Sequence, residues 1–514
     1  MSEYLPFSKL MFRSCLILLL TTVCALSSEA QKKVRLKQAD AAKGGRKNGD
    51  RYERLLGNVI FTQNNTTIYC DSAHFFKRKN SLEAFGKVKI LEGDSVTITG
   101  RRLEYDGDSR VAKIRNNVVF TNASATLYTD NLDYMRSSNI AYYFKGGKLV
   151  DSATVLNSEK GYYNANTSLA TFQTNVKVTN PDYTMYADSL RYNTRSKIIY
   201  FVTRTRVVNK DSSTFEYEKG VYNTITRKSD LIAGTAETEN YTLVGKRYDL
   251  DAARDIAKVR GDVVLTYKEE NLVIYGQASD HFKRKGITKI YDRAYVAKIN
   301  DEDTLFIRAD TLVSIDSPDP SKRKILAYNN VRLFKTDMQG SSDSLEYRYA
   351  DSTIYFYQEP ILWSEGNQLT ADSIRFLLKN NTIHKMYLIA NAFVINRDTL
   401  LNFNQIKGRK MTADINDGKI SKVLVEGNGE SLYFAIDDDN TTMMGVNKII
   451  CSNIIIRFKE GGVHNLSFLV KPEASFIPPH MLKKEDKTLK GFSWRYNEKP
   501  TRKTVIPKPA ILPK

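Results

Sequence analysis

Apolar and polar positions alternate in blocks along most of this chain. Leu82, Ala84, Gly86, Val88 and Ile90 take every second place, with Ser81, Glu83, Phe85, Lys87 and Lys89 between them. Period two over ten residues predicts a β-strand with one buried face. Polar clusters break the pattern at Gly93-Asp94, Asp106-Gly107-Asp108, Asn164-Ala165-Asn166, Asn180-Pro181-Asp182 and Lys379-Asn380-Asn381. These are turn residues. The connections are too short for the crossover that parallel neighbours need, so the expected pairing is an antiparallel meander.

The blocks return about every 29 residues. One half of the unit reads GNVIF at Gly57–Phe61, then GKVKI at Gly86–Ile90, NNVVF at Asn116–Phe120, TNVKV at Thr174–Val178, GDVVL at Gly261–Leu265 and NNVRL at Asn329–Leu333. The other half reads ADSLRY at Ala187–Tyr192, echoed at Gly100–Tyr105, Thr129–Tyr134, Ser342–Tyr347 and Ala371–Phe376. A fixed period in this range predicts stacked units sharing one core, and function spread along that core rather than held in one pocket.

The second half contains a parity slip. Ile98 and Leu103 are five apart, as are Ile68 and Ala73, Leu127 and Leu132, Met185 and Leu190, Ile307 and Leu312, and Leu369 and Ile374. An unbroken strand would put such pairs on opposite faces. Their recurrence predicts one face and an absorbed extra residue, as a bulge or corner. Asp followed by Ser, Thr or Asn sits between them (Asp71-Ser72, Asp130-Asn131, Asp188-Ser189, Asp310-Thr311) and suits bonding to backbone that a corner frees. Gly57, Gly86, Gly147 and Gly261 are expected to bend the first half. Bent strands at a fixed period predict a folded sheet whose two leaves enclose an apolar slot. Its lining candidates are Val59, Phe61, Val88, Ile90, Val118, Phe120, Val176, Val178, Val263 and Leu265.

Composition fits strands: of 514 residues 30 are Tyr and 23 Phe, with only 12 Pro. Lys9 and Arg13 before the apolar run Ser14–Leu26, then Ser28-Glu29-Ala30, predict an export signal over 1–30; an uncleaved anchor is the rival. Cys15 and Cys24 fall inside it, so Cys70 and Cys451 could form at most one disulfide. The array is expected over 52–403, with a degenerate continuation over 404–480. The flanks are basic: residues 31–51 open a basic N-terminal segment, and 481–514, with ten Lys/Arg against three Asp/Glu, read as a Pro-containing tail. Such flanks on an exported chain suit acidic partners or anionic lipid headgroups, and peripheral membrane contact, rather than nucleic acid.

Catalytic chemistry is not written in the chain. The five histidines are scattered, and no HExxH, CxxC, phosphate-binding loop or GxSxG occurs. Asp recurs once per unit, too sparsely for a glycine-rich calcium roll, so a corner role is expected. Tyr105, Tyr134, Tyr192 and Tyr347 are expected to pack within the strands; sugar-stacking platforms are the other reading. No metal, no cofactor and no enzymatic activity is expected.

The export signal, the G-N-V-x-apolar half and the A-D-S-L-x-Y half together resemble the OstA-like family of lipopolysaccharide transport, which includes the periplasmic bridge LptA. The likeness extends over about Tyr52 to Phe403 and is strongest to the long Bacteroidetes-type members. The resemblance implies an elongated, open, antiparallel β-jellyroll, all-β, in the periplasm. It further implies acyl chains of lipopolysaccharide or lipid A held in the groove, and other transport components joined through terminal strand pairing. Three rivals predict otherwise. An outer-membrane barrel needs an apolar outside, which the outward Lys, Glu and Asp oppose. A glycan-cleaving enzyme on a parallel β-helix needs converging acids. A structural adhesin predicts no lipid.

Overall fold

Each predicted pair of half-repeats becomes a run of long strands that bend in the middle. The structure, a computed structural model, describes residues 33–506 other than 94, 123–124, 270, 300–302, 381, 417–418, 440 and 460–461. The expected signal over 1–30 and the tail end over 507–514 lie outside the described residues. The chain forms two units, Met1–Ile198 and Ile199–Lys514, which divide inside the array expected over 52–403.

In the first unit Asp50–Gln63, Thr66–Phe76, Ser81–Glu92, Val96–Asp106, Val111–Asn122 and Ala125–Met135 each pair antiparallel with the next. Arg35–Gln38 and Ala41–Lys47, from the basic N-terminal segment, extend the sheet by pairing with Asp50–Gln63. Every ladder between the six long strands slips register midway, for example between Phe85 and Val88 and between Thr99 and Arg102. There the strands turn from one leaf to the other. Phe61 then meets Phe75 at 5.2 Å and Phe120 meets Tyr134 at 6.0 Å between ring centroids, across the interior. The five-apart pairs Ile68/Ala73, Ile98/Leu103, Leu127/Leu132 and Met185/Leu190 are all buried on that inner face.

The bend has a specific backbone. Two consecutive residues take left-handed φ just before the inner valine: Gly57-Asn58, Asn116-Asn117 and Thr174-Asn175. Glycine, asparagine and aspartate tolerate this region; a β-branched residue such as Thr174, at φ 65°, is strained there. Gly57 and Gly86 serve as expected, but Gly147 does not. Its neighbour Gly146 takes the positive φ, of 103°. Gly147 is extended, and a Cβ there would fall 2.4 Å from the Tyr143 ring, so its role is to admit that ring. The Asp of the second half also acts differently from expectation. It caps the neighbouring strand's bend rather than its own corner. Asp71 accepts from the Lys87 N–H at 3.0 Å, and Asp130 from the Asn117 N–H at 2.9 Å.

The second unit repeats the device at Gly261-Asp262, Asn329-Asn330, Ala390-Asn391 and Gly427-Asn428. Asp310 and Asp372 accept from Asn330 and Asn391 at 2.8 and 3.1 Å. Where the motif decays in sequence the strands lengthen: Thr382–Arg397, Phe403–Asn416, Lys419–Ile436 and Met443–Lys459 pair antiparallel in turn, each ladder still slipping register at the bend. Leu265, Phe356, Phe376, Met411 and Ile454 share the inner core.

The segment expected as a basic tail is instead a strap over the outer face of one leaf of this unit. Leu489 is buried with Phe393, Ile395, Leu432 and Phe434, and Phe492 and Trp494 pack beside it. Val505 is buried with Val273, Tyr275, Tyr295 and Phe306. Two buried glutamines hold the strap's backbone. Gln405 donates to the Lys487 carbonyl at 2.9 Å and accepts from the Leu489 N–H at 2.8 Å. Gln368 does the same with the Ser493 carbonyl at 2.6 Å and the Arg495 N–H at 2.7 Å. Each amide thus pairs with the strap as a strand's own backbone would. Net charge concealed the four apolar anchors that sit between the lysines.

Candidate functional site

The ten slot candidates lie on the inner faces of the two units. Val59, Phe61, Val88, Ile90, Val118, Phe120, Val176 and Val178 line the first unit, and Val263 and Leu265 belong to the second. All ten are buried, none more than 4 % exposed. Each unit's interior is filled by its own side chains. The residues between them point outward: Lys87, Lys89 and Lys177 are exposed.

The two leaves of the first unit meet along a seam where the hairpin tips face each other. Side chains bridge it at regular intervals. Gln63, Glu92, Asn122 and Asp151, each at the end of a strand on one leaf, are spaced 29, 30 and 29 apart. Tyr105, Tyr134, Tyr163 and Tyr192 on the other leaf recur every 29 residues, and all four are at most 2 % exposed. Tyr105 donates to Gln63, and Tyr192 donates to Asp151 at 2.7 Å. Asn122 donates to the Tyr163 hydroxyl at 3.2 Å. In the remaining register Arg136 reaches across in place of tyrosine. Its buried guanidinium donates to Glu92 at 2.7 Å, to Gln63 at 3.1 Å and to Tyr105. Lys197 adds an ion pair to Asp151 at 2.6 Å.

Burial raises the pKa of two of the tyrosine hydroxyls here, those of Tyr105 and Tyr134. It pushes Tyr105 above the ordinary tyrosine range although Arg136 pulls the other way. Burial and the Glu92 charge together push Tyr134 up to about 12. These tyrosines are therefore hydrogen-bond donors rather than sugar platforms, and Tyr347, in the second unit, is half-buried against Tyr349. The seam was missed in the sequence because its partners across the rim are 41 to 73 apart. Its trace was present nonetheless: polar residues before the turns keep the same period as the valines.

Among the described residues no group of three or more His, Cys, Asp or Glu could hold a metal ion. Cys70 and Cys451 are buried free thiols, and burial pushes Cys70 up to about 12, which leaves it unreactive. His281 bonds Thr288 at 2.8 Å, and His74 packs on Tyr52. No helix among the described residues is long and apolar enough to cross a membrane.

With period, bend and inner face in place, the relationship to known proteins can be stated. Residues 31–188 match the family model of OstA-like proteins. Over this stretch the chain is similar to OstA-like proteins. The stretch takes in nearly all the described part of the first unit, including the seam from Gln63 to Tyr163 and its capped bends, but not Tyr192 and Lys197, which clasp Asp151. No curated protein matches the chain. Among solved structures, LptH of Pseudomonas aeruginosa, described as the LptA-homologous periplasmic component of the lipopolysaccharide transport device, is 18 % identical. That alignment covers 20 % of this chain and 79 % of LptH, with a TM-score of 0.19.

Proposed function

We propose that this protein is a non-enzymatic carrier in lipopolysaccharide transport, working in the periplasm, with acyl chains held between the leaves of the folded sheet. The observation that carries the reading is the construction of the seam in the OstA-like segment. Within the first unit an apolar interior runs beneath it repeat after repeat, and the bonds identified across the rims start or end on side chains. Parting the leaves therefore need not break the backbone ladders. Neutral hydrogen bonds are each worth about 1 kcal/mol net and charged ones about 2 kcal/mol. An acyl chain of about a dozen CH2 groups gains roughly 10 kcal/mol on leaving water, at about 0.8 kcal/mol each. One chain thus outweighs the few clasps it displaces. The terminal strands Arg35–Gln38 and Glu473–Ile477 pair on one side only among the described residues. They offer free edges to further transport components by strand addition.

The test is native mass spectrometry of the full chain purified without detergent from the envelope of its own cells. A population carrying lipopolysaccharide is expected, and it should fall when Val88 and Val118 are both replaced by Asp. The filled interior favours one other reading, a structural β-repeat protein. That reading predicts bare protein at every lipid concentration.

A further inference from the structure

The outer face of the first unit carries an ordered array of its own, on the opposite side of the sheet from the slot. One row crosses the strands in register from Tyr69 through Lys89, Tyr128, Lys148 and Lys177 to Tyr186. Tyr69, Tyr128 and Tyr186 are 36, 46 and 44 % exposed, far more than an ordinary packed tyrosine. Successive tyrosines are four strands apart, about 19 Å at the usual strand spacing. Lys177 lies 5.8 Å from the Tyr186 ring. The adjacent row, nearer the seam, is rich in hydroxyls: Thr67, Thr97, Thr121, Thr126, Thr179 and Thr184. Neither row contains an Asp or Glu.

We propose that this face binds an extended acidic glycan, a sugar chain bearing carboxylate or phosphate groups. Tyrosine offers a flat apolar ring with a polar edge, which suits a sugar ring. Lysines between the rings meet the anionic groups, and threonine hydroxyls exchange hydrogen bonds with the sugar's own. The comparison with the second unit argues against a peptide. There the equivalent row is apolar, and its glutamines clamp a strap of the chain's own backbone. From Tyr69 to Tyr186 the rows of the first unit have no glutamine, and their few apolar members, Val119, Leu91, Val150 and Val155, are broken up by Lys, Thr and Tyr. Binding here is independent of the lipid slot, so a lipid-free probe tests it without testing that reading.

The experiment is a titration of the full chain with short-chain polygalacturonate at low ionic strength, with neutral dextran and poly-glutamate as comparators. Dextran and poly-glutamate should each bind about ten-fold more weakly or worse. The triple variant Tyr69→Ala, Tyr128→Ala, Tyr186→Ala should weaken polygalacturonate binding about ten-fold. So should Lys89→Gln, Lys148→Gln, Lys177→Gln, whose wild-type counterpart should also lose affinity with salt. The control Lys113→Gln, Lys160→Gln, Lys258→Gln removes the same charge elsewhere and should leave binding unchanged. Should a triple variant fail to fold, Tyr128→Ala alone is expected to weaken binding about three-fold. The proposal is overturned by a wild-type chain that ignores polygalacturonate, by tyrosine variants that bind it undiminished, or by poly-glutamate binding equally well.

Discussion

The same row of the same face is built differently in the two units. In the first it holds Thr97, Thr121, Thr126 and Thr179, half-buried or exposed. In the second it holds Phe306, Phe334, Trp363, Gln368 and Gln405, linked strand to strand and lying beneath or beside the strap. The backbone bends and the inner valines are common to both. A sheet's inner face therefore does not determine its outer one. Alternation is kept where the outer face is wet, and it gives way to continuous apolar runs such as Leu272–Tyr275 and Ile361–Trp363 where both faces are covered.

Removing the strap should separate the units most sharply. Ending the chain after Ile477 uncovers the second unit's outer row and loses the burial of Leu489, Phe492, Trp494 and Val505. At about 1.5–3 kcal/mol for each large side chain, less the entropy of ordering the strap, the loss is on the order of 5 kcal/mol. The remaining tryptophan, Trp363, is in the second unit, so its fluorescence during urea unfolding reads that unit. An unchanged Trp363 transition would mean the strap only decorates the surface.

The converse experiment strikes the seam. Arg136→Leu leaves the Glu92 carboxylate without its ion-pair partner at a half-buried rim and should destabilise the first unit by about 3 kcal/mol. Hydrogen exchange should quicken at the hairpin tips near Gln63, Glu92 and Tyr105, while the tryptophan transition stays in place. Next in size is Gln405→Ala. It leaves the Leu489 N–H and the Lys487 carbonyl without their partner, at about 2 kcal/mol, in the second unit alone.

Thr174→Asn should act in the opposite direction. It places at the left-handed bend the residue that Asn116 and Asn329 already supply, and should stabilise the first unit by about 1 kcal/mol. Loss of stability in a denaturant titration would show that Thr174 is not strained. The smallest effect is one of pH. Donation from Arg348 holds the Glu346 carboxyl below the usual range against the pull of burial. A depressed folded pKa gives stability that is complete above the unfolded value, near 4.5, and lost as pH falls through the folded one. The second unit should therefore weaken slightly in acid, a slope that Glu346→Gln would flatten.

Strands, period and inner face were legible because burial writes them directly as alternation, and the five-apart pairs announced the bend. Its chemistry was only half readable. Gly57 and Gly86 stood out, whereas Asn116-Asn117 and Asn329-Asn330 spelled the same left-handed pair in residues that resemble ordinary turn formers. The Asp caps act between strands, so reading one strand at a time assigned them to the wrong bend. The seam joins residues more than 40 positions apart, beyond any local pattern. The strap was hidden by its own lysines, which gave residues 481–514 the composition of a solvated tail while Leu489 and Val505 anchored it.

Val118 and Val119 are adjacent in sequence and face opposite sides of the sheet, the first 1 % exposed and the second half-buried on the outside. Placing a photoreactive side chain at one or the other, irradiating intact cells and probing the protein for lipopolysaccharide asks directly whether the interior is the slot. The account predicts an adduct at 118 and little or none at 119. Equal labelling at the two positions, or labelling at 119 alone, would contradict it.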